Sequence, residues 1–170
     1  MLELVPMIGI DYSMSNLTFD ERKCLHSINE DNPNEYKDLM NCISKAYKQM
    51  SPSTLFYGFG ANSKPHITEV SDLFSGTGDL LNPIVMTDHL EQAYYSCLKN
   101  VEINLPCNFS KLIGKAVEFA QQSQVQFLSD QDYIDDSTEQ KTDNDCKSSL
   151  SYFVLYIFCT GLIDDVQETI

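Results

Sequence analysis

Residues 11–15, with the sequence Asp-Tyr-Ser-Met-Ser, constrain this chain more than any other segment. They follow the apolar run Met7-Ile8-Gly9-Ile10, which is typical of a buried β-strand. Asp11, Ser13 and Ser15 therefore place one carboxylate and two hydroxyls just beyond the end of a strand. Ligands bind at this edge of open α/β sheets, and Mg²⁺ prefers such oxygen ligands. The alternative is a polar turn that only caps the way into a helix.

The composition is that of one acidic domain over residues 1–170. An apolar content of 42% is enough for a sizeable core. The formal net charge of −14 argues against direct binding to nucleic acid or to an anionic membrane surface, because both attract basic patches. The acidity suits a domain that binds cations or basic partners, or one that is simply soluble. The longest apolar run, residues 152–159, is too short to span a bilayer.

The six cysteines favour a reducing compartment. They form no C-x-x-C pair, and none has a histidine at zinc-ligand spacing. Several occur within apolar patterns, where a reduced thiol packs as a small hydrophobic group. We expect an intracellular, cytoplasmic protein, with no signal peptide ahead of the first strand.

The apolar patterns predict an α/β fold. Strands are expected at residues 7–10, 55–60, 66–70 and 152–159, the first and last being central and the second and third forming an antiparallel hairpin. Helices are expected from Asn32-Pro33, from near Thr87 and from near Asn108, the first burying Tyr36, Leu39, Met40, Ile43, Tyr47 and Met50. This order predicts an α/β sandwich with a mainly parallel sheet and one antiparallel edge strand. Residues 122–150, which are rich in acidic side chains, are predicted to form a long flexible loop.

Several segments together resemble the von Willebrand factor A-type domain of copines. They are residues 10–16, 24–29 (Cys-Leu-His-Ser-Ile-Asn), 57–61 (Tyr-Gly-Phe-Gly-Ala), 105–109 (Leu-Pro-Cys-Asn-Phe) and 154–165. The G-F-G-A stretch, the S-N after D-x-S-x-S and the L-H pair are typical of copines. The resemblance covers nearly the whole chain outside the acidic loop. It implies a doubly wound, mainly parallel sheet with helices on both faces, a Rossmann-type three-layer sandwich. It also implies a metal-ion-dependent adhesion site at the top of the sheet, whose chemistry is coordination and not bond cleavage.

The resemblance implies that Asp11, Ser13 and Ser15 are metal ligands and that an acidic side chain of a protein partner completes the shell. The family's other two ligand positions fall at Cys107, where copines have threonine, and at Thr160, where they have aspartate. A thiol is a poor ligand for Mg²⁺, and Thr160 removes a carboxylate. We therefore expect weak or absent binding of Mg²⁺ or Mn²⁺.

The end of the chain raises two further expectations. Asp164 and Asp165 are predicted to cap the N-terminus of the next helix, with substitute metal ligands as the alternative. The family fold continues beyond residue 170, which indicates either a fragment or truncated gene model, or a domain that a partner completes.

The function implied by the resemblance is a non-enzymatic protein-interaction module of a copine-like, calcium-dependent phospholipid-binding protein. The C2 domains that bind Ca²⁺ in such proteins are not within these residues, so membrane association and recruitment to the plasma membrane would be indirect. One alternative is the substrate-recruiting domain of a copine-like RING-type ubiquitin ligase whose RING lies outside this sequence. The other is an enzyme, but the three histidines are far apart and neither G-x-S-x-G nor a P-loop occurs.

Overall fold

The sheet is built around the first strand. This computed structural model describes residues 2–17, 24–27, 35–62, 71–79, 82–135, 150–160, 164–165 and 167. The strands are β1 (Leu2–Asp11), β2 (Ser53–Phe59), β3 (Ala61–Asn62), β4 (Phe74–Ser75), β5 (Ile84–Met86), β6 (Glu102–Ile103) and β7 (Leu150–Phe158). The helices are α1 (Glu35–Tyr47), α2 (Leu90–Asn100) and α3 (Ser110–Asp135). The strand order is β4-β2-β1-β7, and β5 also pairs with β2.

The predicted fold class is confirmed. β1 pairs in parallel with both β2 and β7, whereas β4 and β5 pair with β2 in the antiparallel direction. The antiparallel edge thus comes from β4 and β5, and the strand predicted at residues 66–70 lies outside the described residues. A further antiparallel pair, β3 with β6, lies beside the end of β2.

Side chains of β1 alternate between two buried cores because successive residues of a strand point to opposite faces. Ile8, Ile10 and the following Tyr12 pack in the core that contains residues of α1 and α2. Met7 packs in the other core with Leu112 of α3. Helices therefore cover both faces of the sheet, as the apolar run of β1 predicts.

Gly9 lets α3 approach β1 closely. A β-carbon at this position would lie 2.1 Å from Cδ2 of Leu112, a side chain with no exposed surface. The absence of a side chain in the middle of β1 therefore places the first turns of α3 directly on the sheet. The chain segment that precedes α3 is brought to the carboxyl end of β1 by the same contact.

The helix pattern predicted for α1 is confirmed, with one correction. Tyr36, Met40, Ile43 and Tyr47 are buried, as their spacing along the helix predicts. The helix ends at Tyr47, however, and Met50 is 60% exposed, so Met50 does not belong to the buried stripe. The cap predicted at residues 32–33 lies outside the described residues.

β7 is an edge strand in the described part of the chain and not the central strand that its apolar run predicted. It pairs with β1 on one side along nine residues, and no described strand pairs with its other side. Its side chains are half-buried or exposed, with Tyr152 61% exposed. A continuous apolar run is common to both kinds of strand, so it did not distinguish them.

The acidic loop predicted at residues 122–150 is wrong in its first half. α3 continues to Asp135, and residues 136–149 lie outside the described residues. The second half of α3 is rich in Gln, which favours helices, and its exposed face needs no apolar stripe. Within the described residues, no helix has the length and apolar character needed to cross a membrane.

Candidate functional site

Asp11, Ser13 and Ser15 meet at the carboxyl end of β1. Asp11 is the last residue of the strand and is fully buried. Its Oδ1 accepts a hydrogen bond from the Ser13 backbone N–H at 2.7 Å, and its Oδ2 lies 3.5 Å from the Ser15 hydroxyl. The two serine hydroxyls also contact each other. The structure thus brings together the three side chains that the sequence predicts as ligands, while their role toward a metal stays a prediction.

Gly60 makes room for this loop. It follows β2 with φ of +76°, a conformation that side chains rarely adopt. A β-carbon on Gly60 would lie 2.8 Å from Cβ of Ser13 and 3.2 Å from Oδ1 of Asp11. The second glycine of the G-F-G-A stretch is therefore part of the site, because the first loop packs directly on its backbone.

Cys107 completes the described surroundings of Asp11. Only 1% of its surface is exposed, and its thiol interacts with the side chains of both Asp11 and Ser13. Burial, together with the negative charge of Asp11, raises the pKa of the thiol to about 12. The thiol is therefore neutral at pH 7, and it neither carries the charge of a thiolate nor offers the oxygen of a threonine.

Thr160 lies at the same edge of the sheet but is exposed. Phe158 of β7 pairs with Ile10 of β1, so Thr160 follows the last paired residue of β7 just as Asp11 and Tyr12 follow Ile10. No described contact joins Thr160 to Asp11. The position where the resemblance expects an aspartate thus lies beside the site and supplies no charge to it.

Asp164 and Asp165 anchor the loop that bears Cys107, and the helix that they are predicted to cap involves residues 166–170, most of which lie outside the described residues. The Cys107 N–H donates to the Asp164 carboxylate at 2.8 Å, and the Asp164 N–H donates to the Cys107 carbonyl at 3.0 Å. Asp165 accepts from the Ser110 N–H at 2.7 Å, at the N-terminus of α3. Burial of Asp165 acts to raise its pKa, but the hydrogen bonds from Ser110 outweigh it, so the pKa lies below its ordinary value. Both carboxylates serve backbone N–H groups, whose partial positive charge stabilises them.

A group of buried polar side chains behind Asp11 was missed as part of the site. His26 and Asn16 occur in the L-H and S-N pairs, which served only as marks of the family resemblance. His26 Nε2 lies 2.8 Å from the Asp11 carbonyl oxygen, and Asn16 Nδ2 lies 2.9 Å from the same oxygen. Burial lowers the pKa of His26 to about 4, so the imidazole is neutral at pH 7. A lone histidine 15 residues from Asp11 carries no local sequence signal of this contact.

Tyr12 gives a direct test of packing beside the site. Its hydroxyl is buried without a nitrogen or oxygen partner among the described residues, and the nearby Cys97 thiol is a weak partner. We expect Tyr12→Phe to raise the free energy of unfolding by about 1 kcal/mol, since a buried hydroxyl whose only described partner is a weak thiol is removed. Urea denaturation measures this. Tyr94→Phe is the matched control and should be destabilising, because the Tyr94 hydroxyl forms a hydrogen bond with His26. A Tyr12→Phe variant that is less stable than the wild type would show that the Tyr12 hydroxyl has a stabilising partner.

The donor set fits Mg²⁺ poorly. Asp11 supplies the only carboxylate among the described groups that meet here, and the Ser13 amide and the Cys107 thiol already interact with it. No three His, Cys, Asp or Glu side chains of the described residues gather into a metal-binding group. A hard cation would have to displace the internal donors and accept a neutral thiol in place of an oxygen.

Comparison with known proteins gives the family. The copine family model matches residues 24–134. The chain is 27% identical over 167 residues to nicotinic receptor-associated protein 1 of Caenorhabditis briggsae, and 26% identical over 170 residues to the protein of that name in Caenorhabditis elegans. It is 28% identical over 167 residues to copine-A of Dictyostelium discoideum.

Each of these alignments covers 96% of this chain, but only 23%, 23% and 24% of the respective relatives. The chain therefore spans about a quarter of the length of the curated relatives it matches. The family model covers well over half of the chain, on both sides of the loop that bears Cys107. From the family match, together with the sheet and the loops gathered at its edge, we conclude that this chain belongs to the copine family.

Proposed function

We propose that this chain is a non-enzymatic protein-interaction domain that binds partner proteins with the loops around Asp11. The observation that carries the proposal is the gathering of Asp11, Ser13, Ser15 and Cys107 at the carboxyl end of β1, where α/β sheets bind ligands. The raised pKa of the thiol makes it a poor nucleophile at pH 7, and the lowered pKa of the nearby imidazole makes it a weak base. These groups therefore suit the binding of a partner protein better than catalysis.

Partner capture from a cell lysate, quantified by mass spectrometry, tests this proposal. We expect Asp11→Ala to deplete a defined set of captured proteins relative to the wild type. Asp88→Ala is the matched control, because Asp88 is an exposed carboxylate whose side chain is 61% accessible, on the turn before α2. Capture that is unchanged by Asp11→Ala, in a variant shown to be folded, would refute docking at this loop. The names of the two nematode relatives make a nicotinic receptor the first candidate partner.

The metal dependence of the site is a separate prediction. Isothermal titration of the wild-type domain with Mg²⁺ or Mn²⁺ is expected to give little or no heat, because the donor set lacks one carboxylate and one hydroxyl. The double variant Cys107→Thr/Thr160→Asp should bind at least about 100-fold more tightly, which corresponds to roughly 3 kcal/mol for a restored charge partner. Equal affinity of the wild type and the double variant for the cation would show that residues 107 and 160 do not control cation binding.

An acidic group from the partner would complete the shell only where a cation is bound, so this contact is proposed for conditions in which the titration shows binding. Calcium-dependent phospholipid binding, and recruitment from the cytoplasm to the plasma membrane, are proposed for a longer protein with C2 domains. The RING-type ligase alternative likewise concerns sequence outside these 170 residues. A chelator added during partner capture separates metal-bridged from metal-independent contacts.

A further inference from the structure

The carbonyl oxygen of Asp11 accepts two hydrogen bonds from buried side chains. One comes from Nε2 of His26 at 2.8 Å and the other from Nδ2 of Asn16 at 2.9 Å. A carbonyl oxygen has two lone pairs, so these donors fill its capacity. His26 is 4% exposed and Asn16 is 1% exposed, so water does not compete for either bond. Asn16 Nδ2 also donates to the Ser13 carbonyl at 3.1 Å and thereby spans the loop.

Both donors are themselves oriented by a tyrosine from a different helix. The Tyr94 hydroxyl of α2 lies 2.9 Å from Nδ1 of His26, and the Tyr36 hydroxyl of α1 donates to Oδ1 of Asn16 at 2.6 Å. Because a carbonyl can only accept, Nε2 of the neutral imidazole carries the hydrogen and Nδ1 accepts from Tyr94. In both chains of hydrogen bonds the donor therefore lies on the tyrosine side and the acceptor on the side of Asp11.

The imidazole ring is also held by stacking. The Tyr12 ring lies parallel to it within 4°, with the ring centroids 5.0 Å apart. The Tyr36 ring lies within 13° of parallel at 4.5 Å. Rotation of the His26 ring would break both stacks and both hydrogen bonds, so its Nε2 has a single direction.

We infer that His26 and Asn16 are positioning residues, oriented by Tyr94 and Tyr36, through which α2 and α1 set the geometry of the first loop. Two bonds to the Asp11 carbonyl fix the peptide plane between Asp11 and Tyr12. The N–H of that peptide, on Tyr12, donates to the Phe59 carbonyl at 2.8 Å, and the N–H of the following peptide, on Ser13, donates to the Asp11 carboxylate at 2.7 Å. The held peptide plane is therefore the fixed starting point of the loop that bears the Ser13 N–H. The importance of this loop for binding rests on the proposed function, whereas its positioning does not.

Hydrogen exchange of backbone amides, followed by NMR on the full ¹⁵N-labelled chain, tests the inference. His26→Phe keeps an aromatic ring for stacking but removes the donor to Asp11. We expect exchange at the Ser13 amide to become about tenfold faster relative to the Ile8 amide in the core of β1, the factor that corresponds to one lost hydrogen bond. His26→Gln, whose side-chain amide can donate, should restore part of the protection. If His26→Phe does not fold, Asn16→Asp, which has the same shape but no donor, is read in the same way.

Val85→Ala is the matched control. Val85 is buried in the same core as Tyr36 and Tyr94, but it lies on β5 and not in the first loop. It should lower global stability without changing the ratio of Ser13 to Ile8 exchange. The inference is overturned if this ratio stays at its wild-type value in His26→Phe or in its substitute Asn16→Asp, or if Val85→Ala changes the ratio equally. Partner capture with the same variants separates the two proposals. A faster Ser13 amide with unchanged capture would support the positioning role and refute the docking surface.

Discussion

Replacing Gly60 by alanine is expected to lower the free energy of unfolding by about 2–5 kcal/mol, the sum of a left-handed backbone penalty and overpacking. Gly60 has φ of +76°, and the new β-carbon would lie 2.8 Å from Cβ of Ser13. It would also lie 3.0 Å from the Ser13 backbone nitrogen, which cannot move without shifting the loop. Urea denaturation measures the loss of stability, and partner capture should be lost with it.

Gly78 provides the control that separates these two contributions. It has φ of +81°, but a β-carbon there would meet nothing within 4 Å. Gly78→Ala should therefore show only the backbone penalty, about 1–2 kcal/mol. If Gly60→Ala were no more destabilising than Gly78→Ala, the close packing of the first loop against Gly60 would be wrong.

Acidification from pH 6.5 to pH 4 is expected to remove about 3 kcal/mol of stability through His26 alone, since 2.5 units between its ordinary pKa and about 4 are each worth about 1.4 kcal/mol. The folded state keeps this imidazole neutral, whereas the unfolded state takes up a proton as soon as the pH falls below 6.5. The unfolded state therefore binds more protons throughout this window, and stability rises with pH. The contribution is fully present above pH 6.5 and is lost as the pH falls toward 4.

A series of urea titrations between these pH values measures the slope. His26→Gln should flatten the slope, because its side chain does not titrate. His89→Gln is the matched control for the substitution itself, since the His89 side chain is 62% exposed on the surface. A slope that persists unchanged in His26→Gln would show that other groups are responsible.

Local patterns predicted the elements whose signal is contained in a few neighbouring residues. The apolar run of β1 followed by Asp11 indicated both the strand and the edge at which ligands bind. The proximity of Cys107 to Asp11 came only from the family resemblance, because the two lie far apart in sequence and no spacing rule joins them. The acidic residues after residue 122 indicate a loop, whereas the lack of Gly and Pro between residues 115 and 149 is the feature that permits the long helix α3.

The features that the sequence did not predict depend on contacts between residues that are distant in the sequence. Asp165 binds the N-terminus of a helix that begins 55 residues earlier, a contact that no neighbouring residue in the sequence indicates. His26 contacts Tyr94, which is 68 residues away in the sequence, and no local sequence pattern around either residue predicts this contact. The apolar sequence of β7 could not show whether a strand lies on one side of it or on both. Such features become visible only once the topology of the sheet is known.

In the described part of the chain β7 is an edge strand, which has a consequence for the colloidal behaviour of this 170-residue chain. Its nine residues, Leu-Ser-Tyr-Phe-Val-Leu-Tyr-Ile-Phe, contain neither a charge nor a proline, the two features that usually prevent edge strands from pairing with other molecules. At neutral pH the formal net charge of −14 keeps copies apart through mutual repulsion. Near the isoelectric point of about 4.3 that repulsion disappears, and we expect an unpaired edge of β7 to favour cross-β association of these 170-residue chains in concentrated, acidic solutions.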